Sequence, residues 1–311
     1  DIIRDGKSVE LQIKDQLVDV STRLQPEAYL SLKADTGVAR HYHLGVRNRS
    51  SFTSLALNNR PNGMDQARLF DDARVRRAVA LAINRQRFID ELLDGMGTLA
   101  ASPVPPHNIH YHKGLEPLPY DPAQAEALLE EAGWTDTDGD GIRDKEVDGK
   151  RIPLSFSLLY PPRGQLYNDM CTFVQQELAQ VGMDCQPEGA NDYAVRVQSK
   201  NYDASLLSLR ASELPYDFKQ TFHSENWPDG TNYFGYTNQV ADRKMDSLRI
   251  EPDAVQRLKL AEEIQEILRQ DQPAVLLYYP VNKMAIHRRF NNANMYGKPN
   301  FVLMNDLEMV E

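Results

Sequence analysis

The 311-residue sequence predicts an α/β domain, and three observations predict it. Apolar segments with a period of two alternate along the chain with segments whose apolar residues recur at helical spacing. Gly, Pro, Asn and Asp stand at the junctions between them. A hydrophobic fraction of 41% with 26% charged residues is ordinary for a globular protein, and the length buries a core without disulfide or metal staples.

The opening reads as mixed structure ending in a strand at Phe52–Leu57, broken by the turn residues Asn58 to Gly63. A helix follows from about Asp72, with Val75, Val79 and Ala82 on one face. Asn84 caps a second helix that buries Phe88, Ile89, Leu92 and Leu93 and stops at Gly95. Ser102 to Pro106 is extended, because each Pro drives its predecessor out of helical space. Asp121 caps a third helix, Pro122 takes its first position, Gln124 completes a capping box and Gly133 ends it; Ala125, Leu128, Leu129 and Ala132 form its stripe. Leu154, Phe156 and Leu158 alternate as a strand. A helix bearing Met170, Val174, Leu178 and Val181 leads through Gly182 to a strand at Met183 and Cys185. Tyr202-Asp203 opens a strand to Leu209. A helix over about 254–270, with Leu258, Ala261, Ile264 and Leu268, precedes the buried strand Ala274 to Tyr279.

Composition excludes several functions. A formal net charge of -10 without long basic runs is wrong for tracking phosphates, so no nucleic-acid partner is expected. No apolar stretch reaches the length of a membrane span, and Asp1 to Asp5 is not a signal peptide. The abrupt opening leads us to expect that something upstream has been removed. The nucleophile elbow, the phosphate-binding loop, the His-Glu-x-x-His zinc motif and the dinucleotide fingerprint are all missing, so no catalytic residue is expected.

Three clusters carry chemistry and leave alternatives open. Asp136, Asp138 and Asp140 alternate before Gly141 as in a calcium loop, where oxygen ligands converge and Gly permits the turn. The twelfth position is Val147 rather than Glu, and Asp144 at the ninth is the substitute. The rival reading is a polar Asp-Gly hairpin; calcium, if held, is structural and otherwise no cofactor is expected. His107, His110 and His112 invite a metal, against solvated loop histidines, since zinc-site partners are missing. Cys171 and Cys185 both face inward, as a disulfide or as two apolar thiols.

The order of signals resembles the family 5 extracellular solute-binding proteins of the oligopeptide and dipeptide type. The resemblance rests on Leu57-Asn58, Phe70 to Ala78 with Ala82-Ile83-Asn84, Pro103 to Pro106, and Tyr120-Asp121-Pro122 with Leu128 to Trp134. It continues through Gly149-Lys150, Tyr202-Asp203, Phe222-His223-Ser224, Asn232, Gly235-Tyr236 and Ala274 to Tyr279. It implies a periplasmic binding protein-like clamshell (type II) with a mixed sheet, lacking its N-terminal portion. Residues 1–60 then form a remnant of the first lobe, 61–280 the second lobe, and 281–311 the return to the first. It also implies a monomer that captures a peptide or peptide-like solute outside the cytoplasmic membrane for an ABC permease.

The same resemblance supplies site residues. Asp217 matches the acidic receiver of a peptide amine, with Glu213 as rival; the competing role for Asp217 is a helix cap. Arg210, at a strand end, matches a carboxylate-binding arginine against a surface ion pair. Asn58 and Tyr279 match positions near the hinge and cleft, against satisfying the local backbone. Trp227, with Tyr233, stacks on ligand side chains or packs around the turn at Pro228-Asp229-Gly230. The rival functions are a sensory module of the same fold, a carboxylate-dependent hydrolase, and a nickel or haem carrier.

Overall fold

A computed structural model describes residues 6–60, 69–147, 149–211, 216–291 and 308–309. The chain begins with α1 (Gly6–Lys14), β1 (Val20–Ser21), α2 (Pro26–Ala34), α3 (Thr36–His41) and β2 (Tyr42–Asn48). It continues through β3 (Ser51–Leu57), α4 (Ala73–Ala82), α5 (Arg85–Leu93), β4 (Gly97–Leu99), α6 (Pro122–Glu131) and the hairpin β5 (Asp144–Val147) and β6 (Lys150–Pro153). Then come β7 (Ser155–Tyr160), α7 (Gln165–Ala179), β8 (Asp184–Gly189), α8 (Tyr193–Gln198) and β9 (Ala204–Arg210). The last elements that matter here are α9 (Phe218–Phe222), α10 (Gln239–Ile250), α11 (Ala254–Asp271) and β10 (Ala274–His287). Among the described residues no helix is long and apolar enough to cross a membrane.

One strand organises the rest. The first half of β10 pairs antiparallel with β3 on one side and β4 on the other. From Val281 onward it pairs with β2, and Ile286 and Ala285 also face β1. Beyond β3 the sheet continues with β9 antiparallel to β3, then β7 parallel to β9 and β8 parallel to β7. The result is a mixed sheet, as the resemblance implied.

Strand alternation sends side chains to both faces, and both faces are covered. Leu55, Leu57, Phe156, Leu158 and Leu206 join the helices α4, α5, α6 and α7 in one core. Ala56, Leu159 and Leu207 join α9, α10 and α11 in the other. A small third core holds the first part together: Ile13, Leu24, Tyr29, Leu32, Val38, Tyr42 and Ala285.

Local chemistry explains most element ends. The side chains of Asp72, Asn84 and Asp121 accept the backbone N–H groups of Arg74, Arg87 and Gln124, so all three caps form. The capping box at Asp121 closes on one side only, because the Asp121 N–H donates instead to the Leu81 carbonyl at 2.9 Å. Gly133 has φ of +84°, the left-handed turn that ends a helix without a Cβ penalty. Along α11 the buried stripe begins at Ala261, and Leu258 is exposed. The opening holds three helices that its sequence does not announce, and α8 and α10 were likewise unannounced.

The chain passes between its two parts at Arg49-Ser50 and again at Pro280-Val281. The first crossing lies about ten residues before the boundary expected at 60, because β3 pairs along its whole length with β9 of the second part.

Both cysteines are free and buried. Burial pushes the Cys185 thiol up to about 12, helped by Asp184, and pushes Cys171 higher still. Neither is a usable nucleophile at neutral pH. We therefore expect the folded protein to resist maleimide labelling, and the unfolded chain to take two equivalents. A second expectation concerns Arg76, which is buried and donates to the carbonyls of Phe70, Asp71, Asp271 and Gln272, tying α4 to the end of α11. Arg76→Met leaves those carbonyls unmatched and should cost about 3 kcal/mol in denaturant unfolding.

Candidate functional site

The carboxyl ends of β7, β8 and β9, the start of β3 and the Pro280 end of β10's first half share one edge of the sheet. The register fixes this: Ser51 faces Arg210, and Tyr160 faces Gly189. In open α/β sheets, ligands bind in the crevice outside such carboxyl ends. Here that edge is also where the chain crosses between its parts.

A cavity of about 590 Å3 lies at the crossing and draws its walls from both parts. Tyr29 and Lys33 of α2 and Arg47 of β2 come from the first; Met96, Thr98 and His107 come from the second. Polar contacts bind the rim. Thr98 Oγ1 donates to Asn48 Oδ1 at 3.0 Å, and Ser50 Oγ lies 3.1 Å from His107 Nε2. The Ala211 N–H donates to the Ser50 carbonyl at 2.9 Å, and the Arg49 N–H to the Pro280 carbonyl at 2.7 Å. Gly97 allows close packing: a Cβ there would stand 3.3 Å from Tyr278 and 3.4 Å from Ile89 and Leu93. The junction is rich in cations. Lys283 on β10 has its pKa lowered by burial and by Arg49, against the pull of Glu27 and Asp94.

Of the residues expected to touch a ligand, Arg210 and Tyr279 fall at this edge. Arg210 is exposed at the end of β9. Tyr279 is fully buried, and its hydroxyl reaches the carbonyls of Ser102 at 2.7 Å and Val104 at 2.9 Å. It pins the extended segment that leads to His107. Asn58 is at the far end of β3, opposite Ala204 and Asp203, so the expected place beside the hinge does not hold. Seven residues of strand put it roughly 20 Å from the crossing. Its amide donates to the carbonyls of Lys200 and Tyr202 and accepts the Arg60 N–H. Asp217 caps α9, accepting the Gln220 N–H at 3.1 Å, and lines a separate cavity. Trp227 is half-buried in a turn that Asn232 closes by donating to the carbonyls of His223 and Tyr236. Glu213 lies outside the described residues. No local pattern in the sequence marks Lys33, Arg47, Ser50 and Thr98, which converge only through a strand crossing.

The histidine run does not converge. His107 turns to Ser50, His110 is buried, and His112 accepts the Gly114 N–H and faces Glu266. The acidic loop does converge: carboxylate oxygens of Asp136, Asp138 and Asp144 lie within 4.8 Å of one another. Asp140 is apart, accepting the Ile142 N–H. Yet Arg151 pairs with both Asp138 and Asp144, the latter at 3.0 Å, and Thr137 donates twice to Asp144. Burial alone would raise the Asp144 pKa, but the Thr137 hydrogen bonds and Arg151 hold it below the usual value. The guanidinium already supplies the positive charge that a calcium ion would bring, so the donor set fits a self-satisfied hairpin better than a metal cradle.

Comparison with known proteins agrees with this architecture. Residues 1–229 match the family described as bacterial extracellular solute-binding proteins, family 5 Middle. The chain is 33% identical over 254 residues to the oligopeptide-binding protein AppA of Bacillus subtilis, covering 79% of this chain and 46% of that protein. It is 29% identical over 218 residues to the glutathione-binding protein GsiB of Salmonella typhimurium, covering 67% and 39%. It thus spans less than half the length of either relative. The solved structure of Bacillus subtilis AppA with a nonapeptide superposes with a TM-score of 0.77 at 26% identity, over 100% of this chain and 60% of that one.

The Asp-rich hairpin yields a direct test. Arg151→Gln should lower the melting temperature by removing the counter-charge of Asp138 and Asp144. Millimolar calcium should then raise the variant's melting temperature more than the parent's.

Proposed function

We propose that this chain, which belongs to the bacterial extracellular solute-binding proteins of family 5, captures peptide-like solutes at the junction between its two parts. The single observation that carries the reading is a cavity walled by both parts at the carboxyl edge of the sheet, where the chain crosses between them. The protein acts outside the cytoplasmic membrane as a monomer and hands its ligand to an ABC permease. No bond is made or broken.

The chemistry follows from the ligand. A peptide brings an anionic carboxylate, a cationic amine and a run of amide groups, and each needs a partner once water is excluded. Lys33 and Arg47 in the cavity, with Arg210 at the neighbouring strand end, supply positive charge for the carboxylate. Glu213, which follows Arg210 in the sequence, is the acidic candidate for the amine, since Asp217 lines a separate cavity. Tyr279 acts one step back, holding the segment that carries His107. Closure is a rotation about the two crossings, which brings the walls together around the solute. AppA and GsiB are named for an oligopeptide and for glutathione, both of them peptides with free carboxylates.

Calorimetry of the full-length protein against peptides of increasing length tests this. We expect binding of peptides with a free C-terminus, and a loss of about tenfold or more for Arg47→Gln and for Arg210→Gln, the size of a charge-assisted hydrogen bond. No binding of any peptide, or unchanged affinity in both variants, would overturn the reading.

A further inference from the structure

The junction cavity runs against the overall charge of the protein. The chain carries a formal net charge of -10, yet in the cavity wall Lys33 and Arg47 are set against a single carboxylate, Asp94. In the reading given above, the C-terminal carboxylate of a peptide pairs with Lys33 and Arg47. That leaves a further cation, Lys283, without a role.

The ladder between β10 and β2 fixes where Lys283 points. Lys283 is opposite Val46, just as Val281 is opposite Asn48. Directly opposed residues share a face of a sheet, and so do residues two apart on one strand. Val46, Asn48 and Val281 all line the cavity, so Lys283 rises on their face as the fourth corner of the patch. The side chain is half-buried, and its ammonium makes no hydrogen bond or ion pair among the described residues. Burial lowers its pKa most. Arg49 adds to the lowering, while Glu27 of α2 and Asp94 pull the other way without closing on it. A half-buried ammonium that no carboxylate reaches is destabilising, and an anion arriving beside it favours the charged form. The same anion would relieve the repulsion between Lys283 and Arg49.

We infer that Lys283 gives the junction cavity a preference for acidic peptides, by pairing with a side-chain carboxylate of the ligand while Lys33 and Arg47 hold its C-terminus. The inference rests on the proposed capture of peptides at this junction and names the class of peptide taken there. A volume of about 590 Å3 lies within the usual range of small-ligand sites and holds a short peptide with one such side chain. Val46 and Val281 flank the ammonium on the cavity side, so water screens the pair less than it screens a surface ion pair. A side-chain amide of the same shape brings no charge, so the discrimination is electrostatic.

Calorimetry of the full-length protein tests this with tripeptides carrying Glu at each position in turn, each matched to its Gln counterpart. At least one Glu peptide should bind about tenfold more tightly than its Gln match, and the preference should shrink as salt is raised. Lys283→Met should erase the difference within that pair, and Lys283→Arg, which keeps the charge, should retain it. Arg47→Gln should weaken Glu and Gln peptides alike. Equal binding within every pair, or a preference undiminished in Lys283→Met, would overturn this inference and leave peptide capture standing. Binding of no peptide at all would overturn the proposed capture itself, and this inference with it.

Discussion

The structure depends on a single strand that serves two sets of partners. Up to Pro280 the backbone of β10 completes the sheet of the second part, and from Val281 it completes the small sheet of the first. Beside it, β2 and β3 make the same passage through Arg49 and Ser50. The Arg49 N–H on the Pro280 carbonyl ties the two passages together at the point of crossing. Proline has no N–H to give, so β10 offers one fewer ladder bond where it changes partners. Two adjacent connections with few cross-links permit bending about one axis while resisting twist and separation. That is the mechanical requirement of a hinge.

The walls around the crossing are, by contrast, fixed. The Tyr279 hydroxyl on the Ser102 and Val104 carbonyls, with the Gln265 amide joining Ser102 Oγ to the His110 carbonyl, secures a proline-rich segment that has no regular structure of its own. On the other side of the sheet Arg76 draws four carbonyls together. Polar groups buried in this way spend their bonding capacity on the chain and not on a solute. In the proposed capture of a solute, their part is pre-organisation, which lowers the ordering cost of binding.

This division explains what was legible beforehand. Helix starts at Asp72, Asn84 and Asp121 were readable because capping is local chemistry, decided within three residues. The strand β7 was readable because its alternation of apolar and polar residues shows in the sequence itself, and β9 because it is a short apolar run. The opening helices were not, since Leu11 of α1 and Leu30 of α2 are exposed and blur the apolar stripe that would have marked them. Asn58 and Tyr279 were expected near the hinge and cleft, or else to satisfy the local backbone. Which carbonyls they meet depends on partners more than a hundred residues away, at Lys200 and Tyr202 for one and at Ser102 and Val104 for the other. The cationic lining by Lys33 and Arg47 was hidden for the same reason. Sequence spacing shows the carboxylates of the Asp-rich loop but not Arg151, the counter-ion that pairs with Asp138 and Asp144.

The central claim is that the two crossings act as a hinge around a captured solute. It is tested most directly by measuring the distance between Leu11→Cys on α1 and Val240→Cys on α10 in the full-length protein. Both positions are exposed, and the native thiols are buried and unreactive. The account predicts a shorter and narrower distance distribution once peptide is bound. Peptide binding that is confirmed by calorimetry and leaves the distribution unchanged would contradict it.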